Sequence, residues 1–165
     1  MRRGYSNDDY RRLVEKIRGR LPNVSMSTDL IVGFCGENDA QFQRTLELVR
    51  DIRFDKVHAA AYSTREGTIA ARKMEDDVPL EDKKARLRAV EELQAGIQAE
   101  INGKLQGRTV DVLVEGVKRG RAEGRNRNDK IVHMDDGSDR IGDVVQVEIS
   151  ETGPWSLRGS VASAG

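Results

Sequence analysis

A short apolar run that stops at a glycine turn and continues into a capped helix most constrains how this chain can fold. The block Leu30–Val32 is continuously apolar, which is typical of a strand covered on both faces in a parallel α/β sheet. Gly33 and Gly36 then allow a tight turn at the carboxyl end of that strand. Asn38, with Gln41 three residues later, predicts a helix N-cap and capping box. Because glycine serves plain connections as well as ligand sites, this spacing alone leaves both interpretations open.

A second strand is predicted from Phe54 to Ala61, after a helix with the apolar stripe Phe42, Leu46 and Val49. Strand, helix and strand in this order indicate a right-handed parallel crossover. The polar segment Tyr62–Thr68 then follows the second strand, level with the Gly33 turn if the strands are parallel neighbours. Ligands of parallel sheets bind at the carboxyl ends of the strands, so the two loops predict a ligand-binding rim there.

Two further helices are predicted. Ser6, with Asp9, caps an amphipathic helix that ends before Leu21. Residues 67–79 are predicted to form a loop, and an amphipathic helix is predicted from Leu80 to Asn102.

From Arg108 the pattern changes to short segments with period-two apolar residues. They are Val110 to Val114, Lys130 to Met134, Val145 to Ile149 and Trp155 to Val161. Clusters of glycine, aspartate and serine separate them, which predicts a small antiparallel barrel of about five strands.

The densest basic run of the chain lies on a predicted hairpin of this barrel. Its cations are Arg119, Arg121, Arg125, Arg127 and Lys130. Positive charges along a hairpin can contact successive phosphates of a nucleic acid and supply affinity for it with little discrimination between base sequences. The alternative is a solvated hairpin without a partner. Aromatic residues make up only 4% of the chain, which argues against base stacking as the main binding device.

Composition narrows the class of protein. Lys plus Arg equal Asp plus Glu at 28 each, so the net charge gives no hint of a partner. The 165 residues allow one domain or two small ones. One cysteine excludes an internal disulfide framework, and no segment suggests a signal peptide or membrane span. We therefore expect a soluble cytoplasmic protein.

His58 has no companion at ligand spacing, so no metal site is predicted.

The amino-acid sequences of several segments resemble the second half of the radical S-adenosylmethionine barrel of methylthiotransferases. These segments are Ser27–Glu37, Phe42–Leu46, Val49–Asp55 and Tyr62–Ala70. The last sixty or so residues resemble the RNA-binding TRAM domain of that family, and the likeness runs in order through essentially all 165 residues. It implies part of a TIM-like α/β barrel over residues 1–103 and a five-stranded, OB-like TRAM barrel over residues 104–165. Cys35 departs from the family pattern, which usually has proline there.

The resemblance implies tRNA modification by radical chemistry. Within the family, the sequence most resembles members that add a methylthio group to C2 of an N6-isopentenyl-type adenosine at tRNA position 37. S-adenosylmethionine would be the cofactor, the anticodon stem-loop of tRNA the partner, and the protein a monomer. The start Met1–Gly4 matches an internal stretch, so the chain looks truncated. The iron-sulfur clusters would belong to preceding segments with a Cys-x3-Cys-x2-Cys loop. A chain with one cysteine cannot build such a cluster, so we expect it to be inactive alone.

The same resemblance carries a cofactor site onto Gly33, Gly36, Glu37, Tyr62, Ser63 and Arg65. The glycines would admit the cofactor closely, Glu37 would accept from an amine or hydroxyl, and Tyr62 and Ser63 would border the adenine. Arg65 would face a carboxylate or phosphate, or else be a solvated loop charge. Cys35 is predicted to be inert rather than a sulfur donor. In the barrel, the Ser156–Gly159 ending resembles that of the tRNA enzymes, and Arg158 would join the basic patch.

Three other functions fit the sequence. A sister enzyme modifies an aspartate of a ribosomal protein, and another acts on threonylcarbamoyl-adenosine of tRNA. The third alternative is a stand-alone TRAM module that binds RNA without catalysis. The arginine-rich hairpin favours an RNA substrate, but the residues that select the base's side chain can lie elsewhere.

Overall fold

The computed structural model describes residues 4–162, so the stretch Met1–Arg3, part of the segment matched to an internal sequence, lies outside the described residues. The elements are α1 (Asn7–Arg20), β1 (Ser27–Val32), α2 (Asp39–Ile52), β2 (Lys56–Ala61), α3 (Ile69–Lys73), α4 (Leu80–Gly103), β3 (Thr109–Lys118), β4 (Arg121–Asn126), β5 (Ile131–Met134), β6 (Val144–Thr152) and β7 (Leu157–Val161). They form two compact units, residues 1–94 and 95–165. The division between these units falls within α4, and the domain boundary after Gly103 stays a prediction.

The first unit contains the predicted strand–helix–strand crossover. β1 and β2 are parallel and pair from Ser27 with Lys56 to Val32 with Ala61. The predicted capping boxes are present in α1 and α2, with Ser6 and Asn38 as N-caps. Each cap satisfies amide groups that a helix leaves without intrahelical partners, which defines where the helix starts.

Two apolar clusters hold this unit together. Val32, Phe42 and Val90 form one, so the predicted stripe of α2 is confirmed as core. The other cluster consists of Val14, Ile52 and Phe54.

The expectation that β1 is covered on both faces is wrong. Exposure alternates along the strand, and Ile31 is 39% exposed. Successive side chains of a strand point to opposite faces, and in the described chain the packed side is the one that bears Val32. The apolar run therefore overstated the burial of β1.

The predicted loop at residues 67–79 contains the short helix α3. Thr68 is its N-cap, and its hydroxyl accepts a hydrogen bond from the amide of Ala71 at 3.2 Å. A threonine cap before Ile-Ala-Ala is a recognisable helix start, so the sequence contained the signal.

The second unit is a closed barrel with strand order β3-β4-β5-β7-β6. All neighbouring strands are antiparallel except β5 and β7, which are parallel. This corrects the expectation of a purely antiparallel barrel. An odd number of strands that alternate in direction cannot close without one parallel pair, and five strands were predicted.

The interior of the barrel is apolar and tightly closed. Its buried side chains are Val112, Val114, Ala122, Val132, Met134, Val145, Val147, Ile149 and Leu157. Gly124 and Gly159 permit close approach of neighbouring strands, because a Cβ at either position would overlap a backbone carbonyl, of Leu113 or Glu148 respectively.

Among the described helices, none combines the length and apolar character needed to cross a membrane.

Candidate functional site

The two predicted loops of the first unit meet at one rim. The amide of Tyr62 donates to the carbonyl of Val32 at 2.8 Å, directly before the Gly33 turn. The rings of Phe34 and Tyr62 stand edge to face with centroids 4.9 Å apart. The carboxyl ends of β1 and β2 therefore bring the glycine turn and the Tyr62–Thr68 loop together, where parallel sheets bind ligands.

Glu37 lies inside the turn rather than at its surface. Its Oε2 accepts from the amide of Gly33 at 2.6 Å and from Nη1 of Arg86 at 2.9 Å, and its side chain is only 13% exposed. The amide of Gly36 likewise donates to Oδ1 of Asp77 at 2.7 Å. Both glycine amides are thus already hydrogen bonded, so neither offers a free N–H donor, and only Gly36 leaves open space beside the backbone.

Arg86 of α4 is a residue that the sequence reasoning missed. It is 8% exposed and contacts Glu37 through both its carboxylate and its carbonyl, while Nη2 binds Oδ1 of Asp39 at 2.8 Å. Burial disfavours the charged guanidinium, but the bonds and charges of Asp39 and Glu37 outweigh this and raise the pKa of Arg86. The guanidinium therefore fastens the start of α2 to the glycine turn.

Lys83, one turn earlier on α4, fixes the other side of the rim. It is 5% exposed, its Nζ lies 2.5 Å from Oδ1 of Asp76, and the same nitrogen is 5.4 Å from the ring centroid of Tyr62. Its aliphatic stem covers Gly33 so closely that a Cβ there would overlap Cγ of Lys83. The signal in the sequence was a pair of cations three residues apart on the face of α4 that also carries Val90.

Cys35 lies under the rim. It is 7% exposed and is unpaired as a thiol. The hydrogen bond with Cys35 is the largest cause, and desolvation the second, of a pKa of the Tyr62 phenol above its usual value. Cys35 thus affects the titration of Tyr62, and the chemical inertness of Cys35 stays a prediction.

Ser63 and Arg65 are the outward-facing members of the predicted site. Both are exposed, and within the described part of the chain neither side chain has a hydrogen bond or ion pair. A hydroxyl and a guanidinium beside an aromatic ring suit a nucleoside whose tail carries polar groups and a carboxylate.

No group of three or more His, Cys, Asp or Glu side chains suited to a metal ion occurs within residues 4–162. His58 is exposed on β2. The residues present therefore do not fit an iron-sulfur cluster, which needs several thiolates.

On the barrel, the structure divides the predicted RNA-binding cations among different places. Arg121 and Arg125 of β4 and Arg158 of β7 point outward on the β4–β5–β7 side. Arg127 instead binds Asp111 of β3 at 2.9 Å, and Asp111 also accepts from Gln146 of β6. Arg119 is exposed at the β3–β4 turn with φ of +53°. Lys130 is half-buried at the β4–β5 turn.

Most of these arginines contact carboxylates while remaining accessible. Arg125 lies 3.3 Å from Glu115 and 2.9 Å from Asp129, and its side chain is 37% exposed. Arg127 is 83% exposed despite its ion pair. Exposed pairs contribute about 0–1 kcal/mol, so these guanidiniums can exchange a carboxylate for a phosphate.

Comparison with known proteins assigns the barrel. Residues 103–162 match the family model described as "TRAM domain". The barrel is a TRAM domain. Across nearly all of its length, the chain is also similar to curated proteins named tRNA-2-methylthio-N(6)-dimethylallyladenosine synthase.

The relative from Dehalococcoides mccartyi strain CBDB1 is 44% identical over 99% of this chain and 39% of its own length. The relatives from Herpetosiphon aurantiacus and Chlorobium phaeobacteroides are 48% and 45% identical over 98% of this chain and 37% of their lengths. The chain, with its TRAM domain, thus spans less than two fifths of these relatives and matches their carboxyl-terminal part.

Proposed function

We propose that this chain acts, as part of a protein of the relatives' length, in methylthiolation of tRNA at C2 of an N6-isopentenyl-type adenosine at position 37. The observation that carries the proposal is 44–48% identity over 98–99% of the chain to synthases named for that product. The TRAM domain with its exposed arginines supports an RNA substrate, because arginines on an open surface can contact the phosphates of a nucleic-acid backbone.

The rim of the first unit is the proposed place of S-adenosylmethionine. Gly36 lets the cofactor approach the backbone, Tyr62 and Ser63 border the adenine, and Arg65 faces the carboxylate of the cofactor. Gly33 contributes through the turn itself, because the stem of Lys83 covers it. When bound, S-adenosylmethionine supplies the radical and methyl chemistry of such enzymes. Glu37 takes a supporting part, because its carboxylate already holds the Gly33 amide.

The iron-sulfur clusters of this chemistry belong to other segments, since the chain has one cysteine. We therefore propose that the chain alone is inactive. On the TRAM side, Arg119, Arg121, Arg125, Arg127, Lys130 and Arg158 are the proposed contacts to the anticodon stem-loop.

A chimera tests the enzymatic proposal. The chain replaces the matched segment of the Herpetosiphon aurantiacus synthase, and the chimera is expressed in bacteria that lack their own synthase. Mass spectrometry of tRNA nucleosides should detect the 2-methylthio derivative of isopentenyl-adenosine. A folded chimera that produces none, or that methylthiolates threonylcarbamoyl-adenosine or a ribosomal protein instead, contradicts the proposal.

Arg65→Ala in the same chimera tests the rim. We expect a loss of product of about tenfold or more, in line with removal of a charged contact worth about 1.5–3 kcal/mol. Arg72→Ala is the matched control, because Arg72 is exposed on α3. Equal activity of the two variants would remove Arg65 from the site.

The stand-alone TRAM module remains the second candidate, favoured by the compact barrel unit and its cations. It predicts that the isolated chain binds tRNA with affinity that falls steeply with salt while the folded chimera makes no product.

A further inference from the structure

One carboxylate on the barrel lies between two of the proposed RNA-binding arginines. Oδ1 of Asp135 accepts from Nη2 of Arg158 at 2.8 Å and lies 3.5 Å from Nε of Arg121. The strands set this arrangement, because β5 ends at Met134, which pairs with Ala122 of β4 on one side and Gly159 of β7 on the other. Arg121 and Arg158 thus converge on one oxygen from two different strands.

Two guanidiniums around an anionic oxygen are the arrangement in which arginines bind phosphate. The site is open, since the side chains of Arg121, Arg158 and Asp135 are 51%, 34% and 48% exposed. The bond to Arg158 lowers the pKa of Asp135, so its carboxylate is charged at neutral pH. Asp135 therefore occupies this position as an anion.

The carboxylate can be displaced. Exposed ion pairs contribute little to stability, and a backbone phosphate presents one negative charge and two free oxygens, as a carboxylate does, so it can take the same place between the two guanidiniums. Glu151 also lies near Arg158, at 3.9 Å, but it does not reach Arg121 in the described contacts. The neighbouring Asp136 is engaged differently, because its carboxylate accepts from the amide of Val161.

We propose that Arg121 and Arg158 form a phosphate-binding position for RNA, and that Asp135 fills it within the chain and sets its affinity by competing with the phosphate. The inference rests on the proposed RNA binding and adds the residue that limits it. A chain without this competitor binds RNA more tightly.

The test uses the 165-residue chain and an anticodon stem-loop RNA, with dissociation constants measured over a series of salt concentrations. Asp135→Asn should tighten binding about threefold to tenfold at low salt and steepen the plot of log affinity against log salt by about 0.7–0.9, the value for one more phosphate contact. The matched control is Asp139→Asn. It removes the same charge from the same β5–β6 connection, where Asp139 is exposed and has no ion pair among the described residues, and it should change affinity less than twofold.

Arg158→Gln and Arg121→Gln, each added to Asp135→Asn, should abolish the gain, because the competitor matters only if the arginines bind the phosphate. The inference is overturned if Asp135→Asn and Asp139→Asn have equal effects, or if the gain survives loss of either arginine.

A second measurement does not depend on any substitution at Asp135. The Nε–H resonances of Arg121 and Arg158 should both shift when RNA is added to the unsubstituted chain, and unshifted resonances in a chain that binds RNA would count against the inference. If the unsubstituted chain binds no RNA, the proposed function fails together with it. If the chain binds RNA but Asp135→Asn brings no gain, only the present inference fails.

Discussion

Ion pairs between basic side chains and carboxylates occur both at the rim of the first unit and on the outer surface of the TRAM domain, but they have different effects in the two places. At the rim, Lys83 and Arg86 are less than 10% exposed and hold loop carboxylates in place. On the TRAM domain, Arg121 and Arg127 also contact carboxylates but stay more than half exposed. Burial therefore decides whether an arginine fixes the backbone or remains available to a partner.

The largest effect is expected from breaking the buried pair at the rim. Arg86→Met leaves Glu37 without its cation in a poorly solvated place, and loss of one partner of a buried pair costs about 3–5 kcal/mol. Hydrogen exchange, read separately on peptides of the two units, should show this loss for residues 4–94 only. Arg88→Met is the control, since Arg88 is exposed on the same helix. Equal protection in both variants would mean that Arg86 does not fasten the turn.

The stability of the TRAM domain should depend on its apolar interior instead. Met134 is fully buried, and Met134→Ala should cost about 2–5 kcal/mol through lost burial and a cavity. Val144→Ala, at a position that is 65% exposed, should change the free energy of unfolding by about 0.5 kcal/mol or less. Denaturant unfolding followed by fluorescence of Trp155 measures both, and similar midpoints for the two variants would contradict the comparison.

The contact between Lys83 and the glycine turn should have a smaller, separable cost. Gly33 and Gly36 both have positive φ, +68° and +76°, but only a Cβ at residue 33 meets Lys83. Gly33→Ala should therefore be less stable than Gly36→Ala by about 1–3 kcal/mol, the usual cost of overpacking. Adding Lys83→Ala should remove most of this difference, whereas simple additivity in hydrogen-exchange stability would exclude the contact as its cause.

The smallest effect on stability, with a clear effect on binding, is expected at an exposed pair of the TRAM domain. Arg127→Gln removes the contact with Asp111 and should change the free energy of unfolding by less than about 1 kcal/mol. It should also lower the salt slope of RNA binding by about 0.7–0.9. Arg140→Gln, outside the basic hairpin, is the matched control for charge. A large stability loss at Arg127 would place it with the buried pairs.

Local signals predicted much of the fold. Ser6 and Asn38 predicted where two helices start, and period-two apolar residues predicted the barrel. The parallel pairing of β1 and β2 followed from the helix between them. These features depend on neighbours in sequence, or on topological rules that hold across proteins.

The features that the sequence did not reveal depend on contacts between residues far apart in the chain. Arg86 reaches Glu37 across 49 positions, and Asp135 meets Arg158 across 23. A cation on an amphipathic helix is usually solvated, so its pattern alone did not reveal that Lys83 and Arg86 are buried. Nor did the dense basic run reveal that its members face different sides of the barrel.

The parallel pairing of β5 with β7 has a consequence for how the TRAM domain folds. Three of the strands can form in sequence as adjacent hairpins, but β5 gains its second neighbour only when the last strand of the chain arrives. Such a late, non-local pairing makes closure a slow step. A chain that ended before Leu157 would leave β5 and β6 with unpaired edges, which invite association with other molecules.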